Sequence, residues 1–216
     1  PDNGKDDDDN GYVDDVQGWD FVNSDGYPDD DHGHGSHVVG IAAAHTNNDI
    51  GVAGVAWQSS TMALRVLDEQ GTGWWDDVLE AMVYAADNGA AVLNLSLGQE
   101  PGDPVNPVPL QAIQDAVSYA RSRGCLLVAA AGNNMSQPAP VMYPAASPGV
   151  LAIAATGRGD ALFPSGNRGP QVDVAAPGLD IFSTYRDGRY TDALYGTSMA
   201  APHVSGLAAL LWSFEP

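Results

Sequence analysis

The stretch GTSMAAPHVSG, residues 196–206, decides the fold, because a tight turn there leads directly into a helix. Gly196 permits the turn, and the small apolar residues from Met199 to Trp212 predict a buried helix. Pro202 is expected near the first turn, where a missing backbone N–H costs least. Ser198 then lies beside unpaired N–H groups, which suits a nucleophile and equally a simple helix cap.

Two further stretches favour the nucleophile. The sequence DHGHGSHVVG, residues 31–40, places His34 at the start of a helix predicted over residues 35–45. The apolar run LLVAAAGNN, residues 126–134, predicts a strand that ends at Asn133. Sites in open α/β sheets form at the carboxyl ends of strands. A hydroxyl, an imidazole and an amide are the nucleophile, general base and oxyanion donor that acyl transfer requires.

The blocks HGSHV (34–38), AAGN (130–133) and GTSMA (196–200) resemble signature blocks of the subtilisin-like serine proteases, the subtilases. They occur in the family's chain order, and supporting matches extend the resemblance over nearly the whole chain. It implies an α/β, subtilisin-like three-layer fold: a mostly parallel central sheet with helices on both faces. It also implies a serine endopeptidase in which His34 takes the proton of Ser198, Ser198 attacks the peptide carbonyl, and Asn133 stabilises the oxyanion.

One part of the family pattern is missing. The catalytic triad of subtilases begins with an Asp in an Asp-Ser-Gly or Asp-Thr-Gly turn, and neither tripeptide occurs here. We therefore expect residues 1–216 to be a single peptidase catalytic domain, truncated at both ends and inactive alone, whose triad Asp lies upstream. The alternative is a catalytically incomplete pseudoprotease that serves as a calcium-binding interaction module.

The resemblance also implies how a peptide would bind. Two edges of a cleft would pair with the substrate backbone by strand addition. Gly98 would leave the primary pocket open to a large apolar side chain. Trp75 would line a more distant pocket, although Trp74 and Trp75 could equally be ordinary packing aromatics. The implied substrate-binding residues are Gly71, Thr72, Gly73, Trp75, Ser96, Leu97, Gly98, Ala130 and Gly132.

The charge distribution favours cation binding. Acidic residues number 28 against 8 basic ones, for a net charge of −20, which argues against a nucleic-acid partner. Residues 1–31 hold 12 Asp and one Lys, more than half of that charge. Within them, Asp6, Asp8, Asn10 and Asp14 fit an EF-hand-type loop. The bidentate Glu of such a loop is replaced by Gln17, so a solvated acidic insertion is the alternative.

Two more calcium sites are implied by the resemblance. One matches the loop before the catalytic His in thermitase-like subtilases, with Asp20, Asp25, the Tyr27 carbonyl and Asp29 as ligands. The other is the loop at residues 46–52, with the Asn48 side chain and the carbonyls of Thr46, Ile50 and Val52. The alternatives are an Asp-rich turn and a simple helix-to-strand connection.

The remaining expectations concern single residues and partners. Cys125 should be a buried structural thiol, His37 and His203 packing residues, and His32 and His45 surface residues. No run of 18 apolar residues exists, so no transmembrane helix is expected. We expect a secreted, extracellular, calcium-dependent monomer that acts on protein or peptide substrates. A propeptide of its own is a further candidate partner, and neither nucleic acid nor membrane is expected to bind.

Overall fold

The computed structural model describes residues 3–105, 107–134 and 139–214, which form an α/β fold. Two single 3₁₀ turns, Arg158–Asp160 and Arg186–Gly188, interrupt the later part of the chain. In chain order the helices and strands are β1 (Gly18–Asp20), α1 (His34–Ala43), β2 (Ala63–Arg65), α2 (Trp75–Asp87), β3 (Val92–Leu95), α3 (Leu110–Ser122), β4 (Leu126–Ala130), β5 (Val150–Thr156), β6 (Val172–Pro177), β7 (Ser183–Tyr185), β8 (Arg189–Thr191) and α4 (Thr197–Trp212).

The core is a four-stranded parallel sheet of order β3-β4-β5-β6 with helices on both faces. Successive side chains of a strand point to opposite faces, so the apolar run of β4 has to be covered twice. Leu127 and Ala129 pack in one core cluster with residues of α2 and α3. Val128 and Ala130 pack in a second cluster with residues of α4. The three-layer architecture expected from the sequence is confirmed.

Helix α4 is buried along its first half and exposed along its second. Met199 and Ala200 are at most 1% exposed, whereas Leu211 and Trp212 are 61% and 42% exposed. The prediction of a buried helix through Trp212 is therefore wrong for the last turns. Pro202 is the sixth helical residue, in the second turn rather than the first.

Strands β1 and β2 form a separate two-stranded parallel sheet, with Gly18 opposite Ala63. Strand β2 is three residues long and only partly covered. The reason is that β2 pairs with β1 alone: among the described residues, no ladder connects it to β3. The central layer is thus divided, between β2 and β3, into a sheet of two strands and a sheet of four.

Three smaller expectations can be compared with the structure. Helix α1 ends at Ala43, two residues before the predicted end, because Ala44 has an extended backbone. Cys125 is buried, its thiol donates to the Ala90 carbonyl at 2.8 Å, and burial raises its pKa. None of the helices in the described ranges is long and apolar enough to cross a membrane.

Candidate active site

The N-terminus of α4 positions the predicted nucleophile. Gly196 precedes the helix with φ of 123°, and a Cβ there would lie 2.7 Å from Asn133 Oδ1, so both backbone strain and lack of space require glycine. Ser198 follows as the second helical residue and is half-buried. Its backbone N–H donates to no acceptor among the described residues. The turn thus presents a hydroxyl and an unpaired N–H at the same point.

A proline connects this helix to strand β3. Pro202 has no N–H to donate to the Ser198 carbonyl four residues earlier. The Ser96 hydroxyl donates to that carbonyl instead, at 2.8 Å. In return, the Ser198 hydroxyl donates to the Ser96 carbonyl at 3.1 Å. The sequence analysis placed Ser96 in the cleft wall but missed this role, for which the proline four residues after Ser198 was the available signal.

The Asn133 side chain is held in one orientation by Thr197. The Thr197 N–H, which can only donate, lies 2.8 Å from Asn133 Oδ1, and the Thr197 hydroxyl donates to the same oxygen at 3.0 Å. The amide oxygen is therefore fixed toward α4, and Nδ2 remains as a donor with no partner among the described residues. The Thr197 hydroxyl also accepts from the Gly132 N–H at 3.1 Å, which completes its hydrogen bonding.

Asn167 supports the same turn from behind and was missed by sequence reasoning. It is fully buried. Its Oδ1 accepts from the Asn134 N–H and its Nδ2 donates to the Pro140 carbonyl, both at 2.7 Å. A Cβ on Gly132 would lie 2.5 Å from Asn167 Nδ2, so glycine at 132 permits this approach. Nothing near Asn167 in the sequence indicates which groups its side chain meets.

The predicted base, His34, is the first residue of α1. Asp30 caps this helix: its carboxylate accepts from the N–H groups of Gly33 and Ser36 at 2.6 Å and of His32 at 3.1 Å. Burial alone would raise the pKa of Asp30, but the donated hydrogen bonds outweigh it and the pKa is lowered. Burial, followed by the charge of His32, lowers the pKa of His34, and Asp30 partly opposes this. His34 thus favours the neutral form that a base requires.

One cleft of about 790 Å³ contains these groups. His34 and Ser198 both line it, although no hydrogen bond joins them within the described part of the chain. All the residues predicted for catalysis and substrate binding line this cleft: His34, Gly71, Thr72, Gly73, Trp75, Ser96, Leu97, Gly98, Ala130, Gly132, Asn133 and Ser198. The structure therefore brings together residues from five stretches of the sequence, namely 34, 71–75, 96–98, 130–133 and 198, while their roles stay predictions.

Comparison with known proteins shows to which protein family this chain belongs. The model of the subtilase family matches residues 2–216. The chain belongs to the subtilase family. It is 48% identical to thermitase of Thermoactinomyces vulgaris, over 92% of this chain and 67% of that protein. It is 46% identical to a thermophilic serine proteinase of Bacillus sp. (strain AK1), over 92% of this chain and 47% of that protein. The chain thus spans about half to two-thirds of these relatives.

Solved structures agree with that placement. The crystal structure of a cold-adapted subtilisin-like serine proteinase matches 93% of this subtilase with a TM-score of 0.81 at 34% identity, over 68% of that chain. Sphericase matches 91% with a TM-score of 0.78, also at 34% identity, over 70% of its chain. The subtilisin-like fold and the family resemblance drawn from the motifs are both confirmed.

The walls of the subtilase cleft differ in burial. Trp75 is 5% exposed, and its indole N–H donates to the Gln99 side chain, whereas Trp74 is 65% exposed. Gly98 is required by its surroundings as well as by access to the pocket, since a Cβ there would lie 2.8 Å from the Tyr143 carbonyl oxygen. The bond between Tyr143 and Pro144 is cis.

The other four histidines differ in their burial and in their contacts. His37 is fully buried and its Nε2 lies 3.1 and 3.2 Å from the carbonyls of Ile181 and Thr191, so it packs α1 against the β7–β8 hairpin. His203 Nδ1 lies 2.9 Å from the Met199 carbonyl within α4. His45 is exposed, as expected. His32 was expected on the surface, but it is half-buried and lines the cleft, because the turn before α1 folds inward.

The contacts of the predicted calcium ligands indicate which of them could bind an ion. Within the described ranges, no three Asp, Glu, His or Cys side chains come together in a way that could hold a metal ion. Asp20 fits an ion least: it is fully buried, pairs with Arg65 at 2.6 Å and accepts from the N–H groups of Val22 and Asn23. The sequence analysis missed Arg65 as the partner that already neutralises this carboxylate.

The other acidic residues predicted as calcium ligands form hydrogen bonds within their own part of the chain. Asp25 accepts from the Tyr27 N–H at 2.9 Å, and the Tyr27 carbonyl accepts from the Asp29 N–H at 2.7 Å. Farther upstream, Asp6 accepts from the N–H groups of Asn10 and Gly11. Asp8 accepts from Asn10 Nδ2, and Asp14 from the N–H groups of Asn3 and Gly4. Hydrogen bonds within the segment thus close these loops.

The loop at residues 46–52 keeps more oxygen atoms available. The carbonyls of Thr46, Ile50 and Val52 accept no hydrogen bond from a described residue, while Asn48 Oδ1 accepts from the Ile50 N–H at 3.1 Å. Main-chain carbonyls and an amide oxygen are ligands that calcium accepts. Of the three predicted calcium sites, this loop is the one whose contacts best suit an ion.

Proposed function

We propose that this subtilase is a serine endopeptidase that cleaves peptide bonds through an acyl-enzyme intermediate. The observation that carries the proposal is the arrangement of Asn133, whose amide oxygen is bound by Thr197 so that Nδ2 is left to donate beside Ser198. This orientation presents Nδ2 to an acceptor that arrives from outside, such as a developing oxyanion. The relatives named as serine proteinases support the same chemistry.

In the proposed mechanism, His34 takes the proton of the Ser198 hydroxyl as Oγ attacks the peptide carbonyl carbon. The oxyanion accepts hydrogen bonds from Asn133 Nδ2 and from the Ser198 N–H, which is unpaired among the described residues. His34 then gives the proton to the leaving amine. In the second half, His34 takes a proton from water as the water attacks the acyl carbon, and it returns that proton to Ser198 Oγ as the acyl carbon–Oγ bond breaks.

We further propose that a triad Asp, supplied by an upstream segment, orients His34. Asp30, the acid adjacent to α1, binds the cap of α1 through three backbone N–H groups, and among the described residues it accepts no hydrogen bond from the His34 ring. The division of the sheet between β2 and β3 leaves two strand edges that an additional strand could join. In this proposal residues 1–216 are a single catalytic domain that needs that segment for activity.

The experiment uses the protein with its upstream sequence and a peptide substrate, together with a fluorophosphonate probe that labels activated serines. Ser198→Ala should abolish labelling and lower kcat by about six powers of ten, the magnitude known from a subtilisin. Ser213→Ala, at an exposed serine after α4, is the matched control and should change neither. A native protein that contains the upstream Asp and still neither labels nor cleaves would favour the pseudoprotease.

We also propose calcium as a stabilising ion and an extracellular location. The loop at residues 46–52 would hold calcium through the carbonyls of Thr46, Ile50 and Val52 and through Asn48. Free calcium is plentiful outside cells, which suits a secreted, monomeric enzyme acting on protein or peptide substrates. Thermal unfolding with calcium and with a chelator tests the ion, and fractionation of a culture of the source cells tests the location. Identical unfolding curves would reject the ion.

A further inference from the structure

The cleft contains a second imidazole that the proposed mechanism does not use. The ring centroids of His32 and His34 are 6.3 Å apart, with an angle of 52° between the ring planes. The backbone of His32 is held on both sides: its N–H donates to Asp30 at 3.1 Å, and its carbonyl accepts from the Tyr185 hydroxyl at 3.0 Å. The short turn between Asp30 and α1 therefore fixes the His32 ring close to the proposed base.

The other side of the His32 ring faces the predicted substrate-binding edge. A Cβ on Gly71 would lie 3.0 Å from His32 Nε2, so the ring fits here because residue 71 is glycine. His32 Nδ1 is buried and has no hydrogen-bond partner in the structure. A buried imidazole nitrogen without a partner has a cost that packing alone does not explain. The ring is thus placed between the base and the substrate edge.

We propose that His32 is a positioning residue for His34, and that its charge state sets how acidic a solution the base tolerates. The inference rests on the proposed function, because it takes His34 to be the general base. A proton on His32 disfavours a second proton on His34 by direct repulsion. The base then stays neutral to lower pH, and hydrolysis persists farther into the acid range than it would without His32.

The other charged groups around His32 are already engaged. On the turn and helix that carry it, Asp30 caps α1, and Asp31 pairs with Arg65 at 2.8 Å; His37 is buried behind the helix. On the turn that carries Gly71, Asp68 accepts from Gln70 and Thr72, and Glu69 accepts from the Gln70 side chain. On the β7–β8 hairpin, Arg186 donates to the Asp31 carbonyl. His34 is therefore the titrating neighbour that the charge of His32 affects.

The separation of the rings sets the size of the effect. Two unit charges about 6 Å apart change a protonation equilibrium by roughly 0.5 to 2 pH units, for effective dielectric constants of about 80 and 20 respectively. The charge of His32 is also among the causes that lower the pKa of His34, after burial. Repulsion between the two rings therefore shows in the macroscopic acid limb of the pH profile.

The test compares variants of the protein that includes its upstream sequence. His32→Asn removes the charge, and His32→Lys keeps a permanent one at nearly the same place. The acid limb of kcat/KM should move up by at least about 0.5 pH unit in His32→Asn and stay at or below the native position in His32→Lys. His45→Asn removes an exposed imidazole beyond α1 and should leave the profile unchanged.

A second measurement does not depend on turnover. The NMR titration of the His34 Cε1–H signal, assigned by its loss in His34→Gln, should show the same order of midpoints across the variants. Superimposed native and His32→Asn titrations, or equal shifts in His32→Asn and His32→Lys, would overturn the inference, since a steric role does not depend on charge. An absence of hydrolysis with shifted titrations would instead count against the proposed function alone.

Discussion

The cleft and the acidic segment at residues 3–31 are both rich in polar side chains, but they use them differently. In the cleft, hydrogen bonds join distant segments: Ser96 with Ser198 across 102 residues and Asn133 with Thr197 across 64. In the acidic segment, the exposed loop around Asp6 is closed by bonds to Asn10 and Gly11, four and five residues away, whereas Asp15 and the buried Asp20 bond Tyr84 and Arg65, 69 and 45 residues away. Long-range bonds order two elements relative to each other, whereas local bonds shape one turn. Substitutions should therefore have large effects in the cleft and small ones in the acidic segment, except where that segment is buried.

The largest expected effect on stability lies at that exception. Asp20 is fully buried and pairs with Arg65, whose side chain is 12% exposed. Arg65→Met would leave a buried carboxylate without its partner, which costs about 3–5 kcal/mol. Denaturant unfolding of the protein measures this cost. The matched control is Arg189→Met, whose ion pair with Asp187 has a similar length of 2.7 Å but is exposed, so it should cost at most about 1 kcal/mol. Equal costs would mean that burial does not determine how much stability the loss of an ion pair costs.

Next in size is the connection between Ser96 and Ser198. Ser96→Ala removes the donor to the Ser198 carbonyl, which Pro202 cannot replace, and should cost about 1–3 kcal/mol together with a fall in kcat. Unfolding and peptide hydrolysis measure the two effects. Ser122→Ala is the control, because its hydroxyl donates to the exposed Tyr119 carbonyl at 2.7 Å and water can take its place. A stable Ser96→Ala variant with native kcat would show that the bond does not position the nucleophile.

A smaller effect is expected at the cap of α1. Asp30→Ala leaves the N–H groups of Gly33 and Ser36 without an acceptor and should cost about 0.5–2 kcal/mol. The pKa of Asp30 is lowered in the folded protein, so its stabilisation is present above the ordinary value of 3.8 and is lost as the pH falls through the folded value. The difference between native and Asp30→Ala stabilities should therefore shrink as the pH falls below 3.8 and disappear only below the lowered pKa of the folded protein. A difference that persists at low pH would contradict this role of the ionised carboxylate.

The sequence predictions succeeded where neighbouring residues determine the structure and failed where distant contacts determine it. The apolar run of β4 and the glycines at 132 and 196 specify local geometry, so the sheet and the positions of Asn133 and Ser198 followed from the motifs. Thr197 and Asn167 were missed because their roles depend on which distant group they meet in the folded chain. His32 was placed on the surface for the same reason, since nothing near it in sequence shows that Gly71 lies beside its ring.

The calcium predictions show a different limit of the sequence, because one pattern of residues has two structural uses. Asp6, Asp8 and Asn10 match a loop pattern of calcium-binding proteins, yet the same residue types also close a turn by hydrogen bonds to backbone N–H groups. The pattern does not distinguish the two uses. Asp20 illustrates the point, because its partner Arg65 lies 45 residues away in the sequence. Only the folded contacts show that this carboxylate is already neutralised.

The smallest expected effect is at Asp6, in the exposed part of the acidic segment. The Gly11 N–H lowers the pKa of Asp6, but water can solvate both groups, so Asp6→Asn should change Tm by less than about 2 °C in the presence of a chelator. With calcium, the variant separates the candidate sites. If the ion binds at residues 46–52, Asp6→Asn keeps the full rise of Tm on adding calcium and Asn48→Ala reduces it. The reverse result would place the ion in the acidic segment and give that segment a role beyond its local turns.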